Sequence, residues 1–224
     1  MKKSSILILI IICLVGCKKG SNETTITGEI KGLGTDTLYL YGMDELYDRI
    51  DTIYVENDKF SYTTSVDTIT SAYLLLKNRI EYPVFLDKGN KIKIKGDTIN
   101  LNFLTISGNI YNEEFTDFQK ALEDPADPSE KAGEETVDKR ITVEKANTAE
   151  EMAEEFILQH HSSYVSLYLL DKYFVQKETP DFSKIKKLVE VMTGVLQDKP
   201  YIERLNETIT VSYTHLTLPT IRLV

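Results

Sequence analysis

The sequence predicts an α+β protein: an N-terminal antiparallel β-sandwich or partly open barrel over residues 25–110, then a helical connector over 111–209. Three observations carry that prediction. From Thr25 to about Ile110 apolar residues alternate with polar ones in short runs, separated by Gly, Asn and Asp. At Asn112 the spacing changes to threes and fours. The composition, 42% hydrophobic and 27% charged over 224 residues, suits a globular chain of one large or two small domains.

The chain opens on "MKKSSILILIIICLVGCKKG". Lys2 and Lys3 form a basic start, and an apolar run from Ile6 to Val15 follows that is too short to span a bilayer. Leu14-Val15-Gly16-Cys17 then resembles a bacterial lipobox. The expectation is a lipoprotein signal peptide over residues 1–16, cleaved after the small Gly16, with acyl chains attached at Cys17. Residues 17–24 are then a polar tether. Lys18 and Lys19 favour a periplasm-facing location over surface export.

The strands follow in order. Ile26 to Ile30 places Ile26, Gly28 and Ile30 on one side, and Gly32 and Gly34 end the run. "TDTLYLYGM" restarts the alternation, and "RIDTIYV" and "KFSYTTSV" flank Glu56-Asn57-Asp58, a tight turn because Asn and Asp tolerate positive φ. "SAYLLLK", "EYPVFL" and "NKIKIKG" come next; in the last, isoleucines face a core and lysines face solvent. "NLNFLTISGN" closes a set of seven or eight short strands.

Helices occupy the second half. "NEEFTDFQKALED" turns Phe115, Phe118 and Leu122 to one face. Residues 123–150 carry nine acidic and four basic side chains with Pro125, Pro128 and Gly133, the composition of a linker or loosely held helix. Thr148 is the expected cap of a helix to about Gln159, with Glu150 and Glu151 in its first turn. Ser162 or Ser163 caps "SSYVSLYLLDKYFVQ", which is apolar nearly all round and so buried. Asp181 caps a helix whose stripe runs Phe182, Ile185, Leu188, Val189, Met192, Val195 and Leu196. Pro200 opens a short turn through Leu205.

Charge and cysteine content restrict function. The formal charge is −9, and loss of Lys2 and Lys3 with the signal leaves 24 basic against 35 acidic residues, or −11. Such a chain repels phosphate backbones as a whole, so nucleic acid is not an expected partner. Cys13 lies in the signal and Cys17 takes lipid, so the mature chain has no thiol for a disulfide, a Cys-x-x-Cys or a zinc set. His160 and His161 are adjacent, about 100° apart on a helix, and suit a solvated helix end better than a shared metal. Ser162 and Ser163 lack a Gly-x-Ser-x-Gly setting and read as caps. Glu113 and Glu114 sit at a helix start, where acids are favoured electrostatically. "GLGTD" has no following Lys-Ser/Thr and reads as a turn. Tyrosines 39, 41, 47, 54 and 62 are the candidates for a glycan- or peptide-binding face. No catalytic residue, metal ligand or cofactor is expected in this chain.

The stretch "ITGEIKGL…DTLYLY…IDTIYVENDKFSY…AYLLL…YPVFLDKGNKIKIKGD…ISGNIYNEEFTDFQ" behind a lipobox resembles the uncharacterised N-terminal domain of a family of Gram-negative lipoproteins. The likeness covers about Thr25 to Gln119, and "SYVSLYLLDKY" with the helices after it is similar to the family's connector. Asp58-Lys59-Phe60 stands where the family often has Gly-Lys-Phe. In those relatives a TlpA/ResA-type thioredoxin-like (AhpC/TSA) domain with a redox Cys-x-x-Cys follows. The resemblance therefore implies an accessory module of a periplasmic thiol–disulfide oxidoreductase, with the bilayer and periplasmic client proteins as partners. A glycan- or peptide-binding lipoprotein and a purely structural spacer are the alternatives. The tail from Val211 to Val224, "VSYTHLTLPTIRLV", is similar to translated transposase-adapter DNA from sequencing libraries. The expectation is that it is non-native, that the native frame continues past Ile209, and that the thioredoxin-like domain lies beyond.

Overall fold

The computed structural model describes residues 22–43, 46–77, 80–123 and 138–217, with side chains described within the last segment over 148–211. Gly16 and Cys17 lie outside the described residues, as do the first part of the acidic segment and the last seven residues of the tail. Eight strands form two four-stranded sheets. Sheet A has the order β4-β1-β7-β8 and comprises Lys59–Ser65, Glu23–Lys31, Lys91–Asp97 and Thr105–Ser107. Sheet B has the order β3-β2-β5-β6 and comprises Ile50–Val55, Asp36–Gly42, Thr70–Leu76 and Ile80–Leu86. The architecture is a sandwich followed by helices, not a closed barrel.

Alternation builds the interior as the sequence predicts. Ile26, Ile30, Ile92, Ile94 and Ile106 of sheet A face Leu38, Leu40, Ile53, Leu74 and Val84 of sheet B, all of them buried. Gly28 continues the inner row of β1 because the Phe60 ring occupies the space its side chain would fill. A two-residue turn joins β3 to β4, with Asn57 at φ 51° and Asp58 at φ 69°. Glu56 and Lys59 close it with reciprocal backbone bonds of 2.9 and 3.1 Å, the geometry for which positive φ at both positions is required. This hairpin carries the chain from the edge of sheet B to the edge of sheet A.

One pairing departs from the expected antiparallel set. β1 and β7 run parallel, Ile26 opposite Ile92 and Gly28 opposite Ile94. The chain visits sheet B twice between them, so a long crossover of the kind parallel neighbours need is available. Alternation within a strand contains no information about the direction of a partner so distant in sequence.

The opposite side of the sandwich, between β6 and β8, is sealed by helix α1, Ile110–Glu123. Asn112, 1% exposed, accepts from the Phe85 amide at 3.0 Å and donates to the Phe85 carbonyl at 2.9 Å. Thr116, 3% exposed, does the same for Ile106 at 3.0 and 2.9 Å. Residues i and i+4 of one helix face thus satisfy the free backbone of an edge strand in each sheet. Tyr82 adds a third reciprocal pair of hydrogen bonds, its hydroxyl donating to the Leu104 carbonyl at 2.8 Å and accepting from the Leu104 amide at 3.0 Å. Pro83 is tolerated in β6 because that strand is an edge.

Four further helices follow. α2 is Asp138–Gln159, α3 Tyr164–Leu170, α4 Phe182–Val191 and α5 Pro200–Thr217. α2 begins ten residues before the expected cap, so Thr148 and Glu150 lie inside it. Within its described side chains Met152, Ala153, Phe156 and Ile157 join the core, and the charged residues from Asp138 onward gave no boundary signal in the sequence. Ser163 caps α3, accepting from the Val165 amide at 3.2 Å, and Asp181 caps α4, accepting from the Ser183 and Lys184 amides. The α4 stripe breaks at Met192, whose backbone is extended; Gly194 turns at φ 62° and leaves Val195 exposed. α5 continues well past Leu205, and residues 211–217 extend the same helix. α1 and α3 cover the β5–β6 half of sheet B's outer face, which buries Ser71 and Phe85. Phe115 lies 5.2 Å from Tyr168 and Tyr111 5.2 Å from Tyr164, both edge-on.

Candidate functional site

Where α3 and α5 meet the outer face of β5, they leave a cavity of about 140 Å³. Tyr73 comes from β5, Tyr168 and Asp171 from the α3 segment, and Tyr201 from α5. Ser71, Leu167, Met43 and Gln176 complete the wall. The α-helix ends at Leu170 and gives way to a single π turn over Asp171–Val175, closed by the Gln176 amide bonding the Asp171 carbonyl at 2.9 Å. The wider turn keeps Tyr168 and Asp171 on the cavity side while Phe174 is buried. Single π turns of this kind are frequent at functional sites.

Asp171 is the charged centre. It accepts from the Tyr201 hydroxyl at 2.5 Å and from the Gln176 side-chain amide at 2.6 Å. Among the described residues it makes no ion pair. Burial, and then proximity of carboxylates, push the phenols of Tyr73 and Tyr201 well above their ordinary value; burial chiefly does the same for Tyr168. These phenols therefore stay protonated and serve as hydrogen-bond donors. The arrangement can receive a small donor group, or a cation set against aromatic rings.

Residues 24–115 match the family described as "Domain of unknown function (DUF4369)". No curated protein and no solved structure matches the chain. The matched stretch takes in all eight strands but for Glu23 at the start of β1, and ends inside α1, between Asn112 and Thr116. It contributes Tyr73, Ser71 and Met43 to the cavity, and the helices outside it contribute the rest.

The tyrosines singled out in the sequence do not share one face. Tyr39, Tyr41 and Tyr54 lie on the outer face of sheet B, with Tyr54 73% exposed. Tyr47 is buried, its hydroxyl donating to Asp51, and Tyr62 points to the inner face of β4 with its phenol pushed up to about 12 by burial and Asp51. Tyr41 is the link to the cavity: it donates to Glu81, and its ring lies 5.7 Å from Tyr73.

The other candidates have structural roles. His160 stacks on Phe156 at 4.0 Å, and His161 is exposed with its carbonyl accepting from the Thr193 amide. Ser163 caps α3 and donates to Glu114 at 2.5 Å, while Ser162 is exposed. Glu113 accepts from the Gly108 amide at 3.3 Å. Gly34 exchanges bonds with Asp58, docking "GLGTD" on the β3–β4 turn. Among the described residues no cluster of His, Cys, Asp and Glu has the makings of a metal site, and no helix is long and apolar enough to cross a membrane. Sequence reasoning missed Tyr73, Tyr168, Asp171 and Tyr201. Only the Tyr168–Asp171 spacing of three was a local signal; their meeting with Tyr73 and Tyr201 is tertiary.

Proposed function

We propose that this chain is the membrane-anchored, non-catalytic part of a periplasmic thiol–disulfide oxidoreductase, lipidated at Cys17 and ending before the thioredoxin-like domain. One observation carries the reading: the match over residues 24–115 falls on the stretch, behind a lipobox, whose resemblance runs from Thr25 to Gln119. The packing of the helices onto sheet B supports it, because a connector fused to the sandwich would hold a following domain at a set distance from the tether. The module then positions the redox domain or its client proteins. The test is the intact gene product with and without residues 25–110. Deletion is expected to alter client choice or reductase activity in the envelope; if both are unchanged, the module has no such role. Labelling with an alkyne fatty acid tests the anchor, and Cys17→Ala is expected to abolish it.

The Asp171 cavity favours a second reading, a binding module. At about 140 Å³ it is well below the roughly 300–1,000 Å³ of sites that enclose a whole ligand. It would receive one protruding side chain of a peptide more readily than a sugar ring. Calorimetry with peptides bearing a single Lys or Arg, on wild type and Asp171→Asn, separates this reading from a plain spacer.

A further inference from the structure

We infer that the outer face of sheet A docks on anionic lipid headgroups, the surface of the bilayer that holds the chain's own anchor. The inference rests on the proposed lipidation of Cys17. Lys91, Lys93 and Lys95 alternate along β7, all exposed on the outer face. By register Lys59 of β4 lies across Glu29 of β1 from Lys95, and Lys31 ends β1 on the same face. Exposed hydroxyls such as Ser61, Thr63 and Thr105 fill the rows between, and no helix among the described residues covers them. None of these five lysines forms an ion pair with a described residue.

The acids on the face are Glu23, Glu29 and Asp97, and Asp97 accepts from the Ile99 amide at 2.9 Å. Five cations against three anions give +2 on this face of a mature chain whose total is −11, leaving −13 elsewhere. Acids behind the second sheet lie beyond the roughly 10 Å sheet spacing, about one Debye length at 0.1 M salt, so the local sign governs a surface facing sheet A.

Chain length selects the bilayer over other polyanions. Residues 18–22 separate Cys17 from Glu23, the first residue of β1, so sheet A begins at most about 25 Å from the lipidated sulfur. Lys18 and Lys19 in that tether carry the same sign. Tethering raises the effective concentration of headgroups at the face, so weak contacts from a flat row of lysines suffice.

The test uses the mature chain with Cys17→Ser, which cannot be acylated, in flotation with phosphatidylcholine vesicles and with vesicles containing 30% phosphatidylglycerol. Binding to the anionic vesicles alone, weakened by raising salt from 0.1 to 0.5 M, is expected. The triple variant K91E/K93E/K95E should bind at least tenfold more weakly with an unchanged urea midpoint, because each position is exposed. The control K120E/K186E/K187E, on the helices, should bind as the parent does. Equal binding to both vesicle types or undiminished binding by the β7 variant would overturn the docking surface. Fatty-acid labelling of wild-type Cys17 is read separately, so failure of anchoring and failure of docking give different results.

Discussion

Asn112 and Thr116 show how much depends on two side chains. Each satisfies both backbone groups of an edge-strand residue in a buried setting, so truncation orphans a donor and an acceptor together. Asn112→Ala is expected to cost about 1–3 kcal/mol in urea unfolding, and Thr116→Val a similar amount despite its matched shape. Gly28 is constrained for a different reason. A methyl group there would meet the Phe60 ring at 2.1 Å, so Gly28→Ala should lower stability by about 1–3 kcal/mol and shift the Phe60 resonances. At this scale the sequence was legible where chemistry is local. The caps Ser163 and Asp181 and the Asn57-Asp58 turn were readable because their partners lie within four residues. Asn112 was readable only as the point where the period changes, since Phe85 is 27 residues away.

Among elements, α2, the loop after the π turn and α4 are tied by one charge network. Glu150 pairs with Lys177 and with Lys184, the latter at 3.4 Å, and Lys184 also pairs with Glu154 at 2.7 Å. Burial alone would raise the Glu150 carboxyl; the hydrogen bonds and charges of Lys177 and Lys184 outweigh it and hold the carboxyl below its ordinary value. A depressed carboxyl contributes stability that is present above its unfolded value and lost as pH falls through its folded value. Urea midpoints from pH 7 to pH 3 should therefore fall less steeply for Glu150→Gln than for wild type, the two converging at the acid end. The network also accounts for the misplaced start of α2: Glu150 reads as an N-terminal acid in sequence but serves as a mid-helix anchor for two lysines. The continuous stripe from Phe182 to Leu196 likewise hid the break at Met192, because the 3₁₀ turn beyond it returns Leu196 to the core.

At the level of the whole molecule, the sandwich needs a helix to close it. The eight strands and their alternation were legible, and so was the change to helices. The parallel β1–β7 pair, the sealing of the β6–β8 seam and the Tyr–Asp cavity were not, because each joins segments far apart in sequence. A chain ending at residue 115 lacks Thr116 and leaves Ile106 unpaired, whereas one ending at 123 keeps α1 whole. Of two chains starting at residue 17, the longer should show sharp, cooperative urea unfolding and the shorter a broadened transition with dye binding. Both expose Tyr73 once Tyr168 and the later helices are gone, so both should be less soluble than the full chain. What the native gene encodes after Ile209 decides whether the chain is part of an oxidoreductase. Reading the chromosomal locus through that codon should reveal an uninterrupted frame reaching a thioredoxin-like Cys-x-x-Cys; a native stop codon directly after Val224 would contradict it.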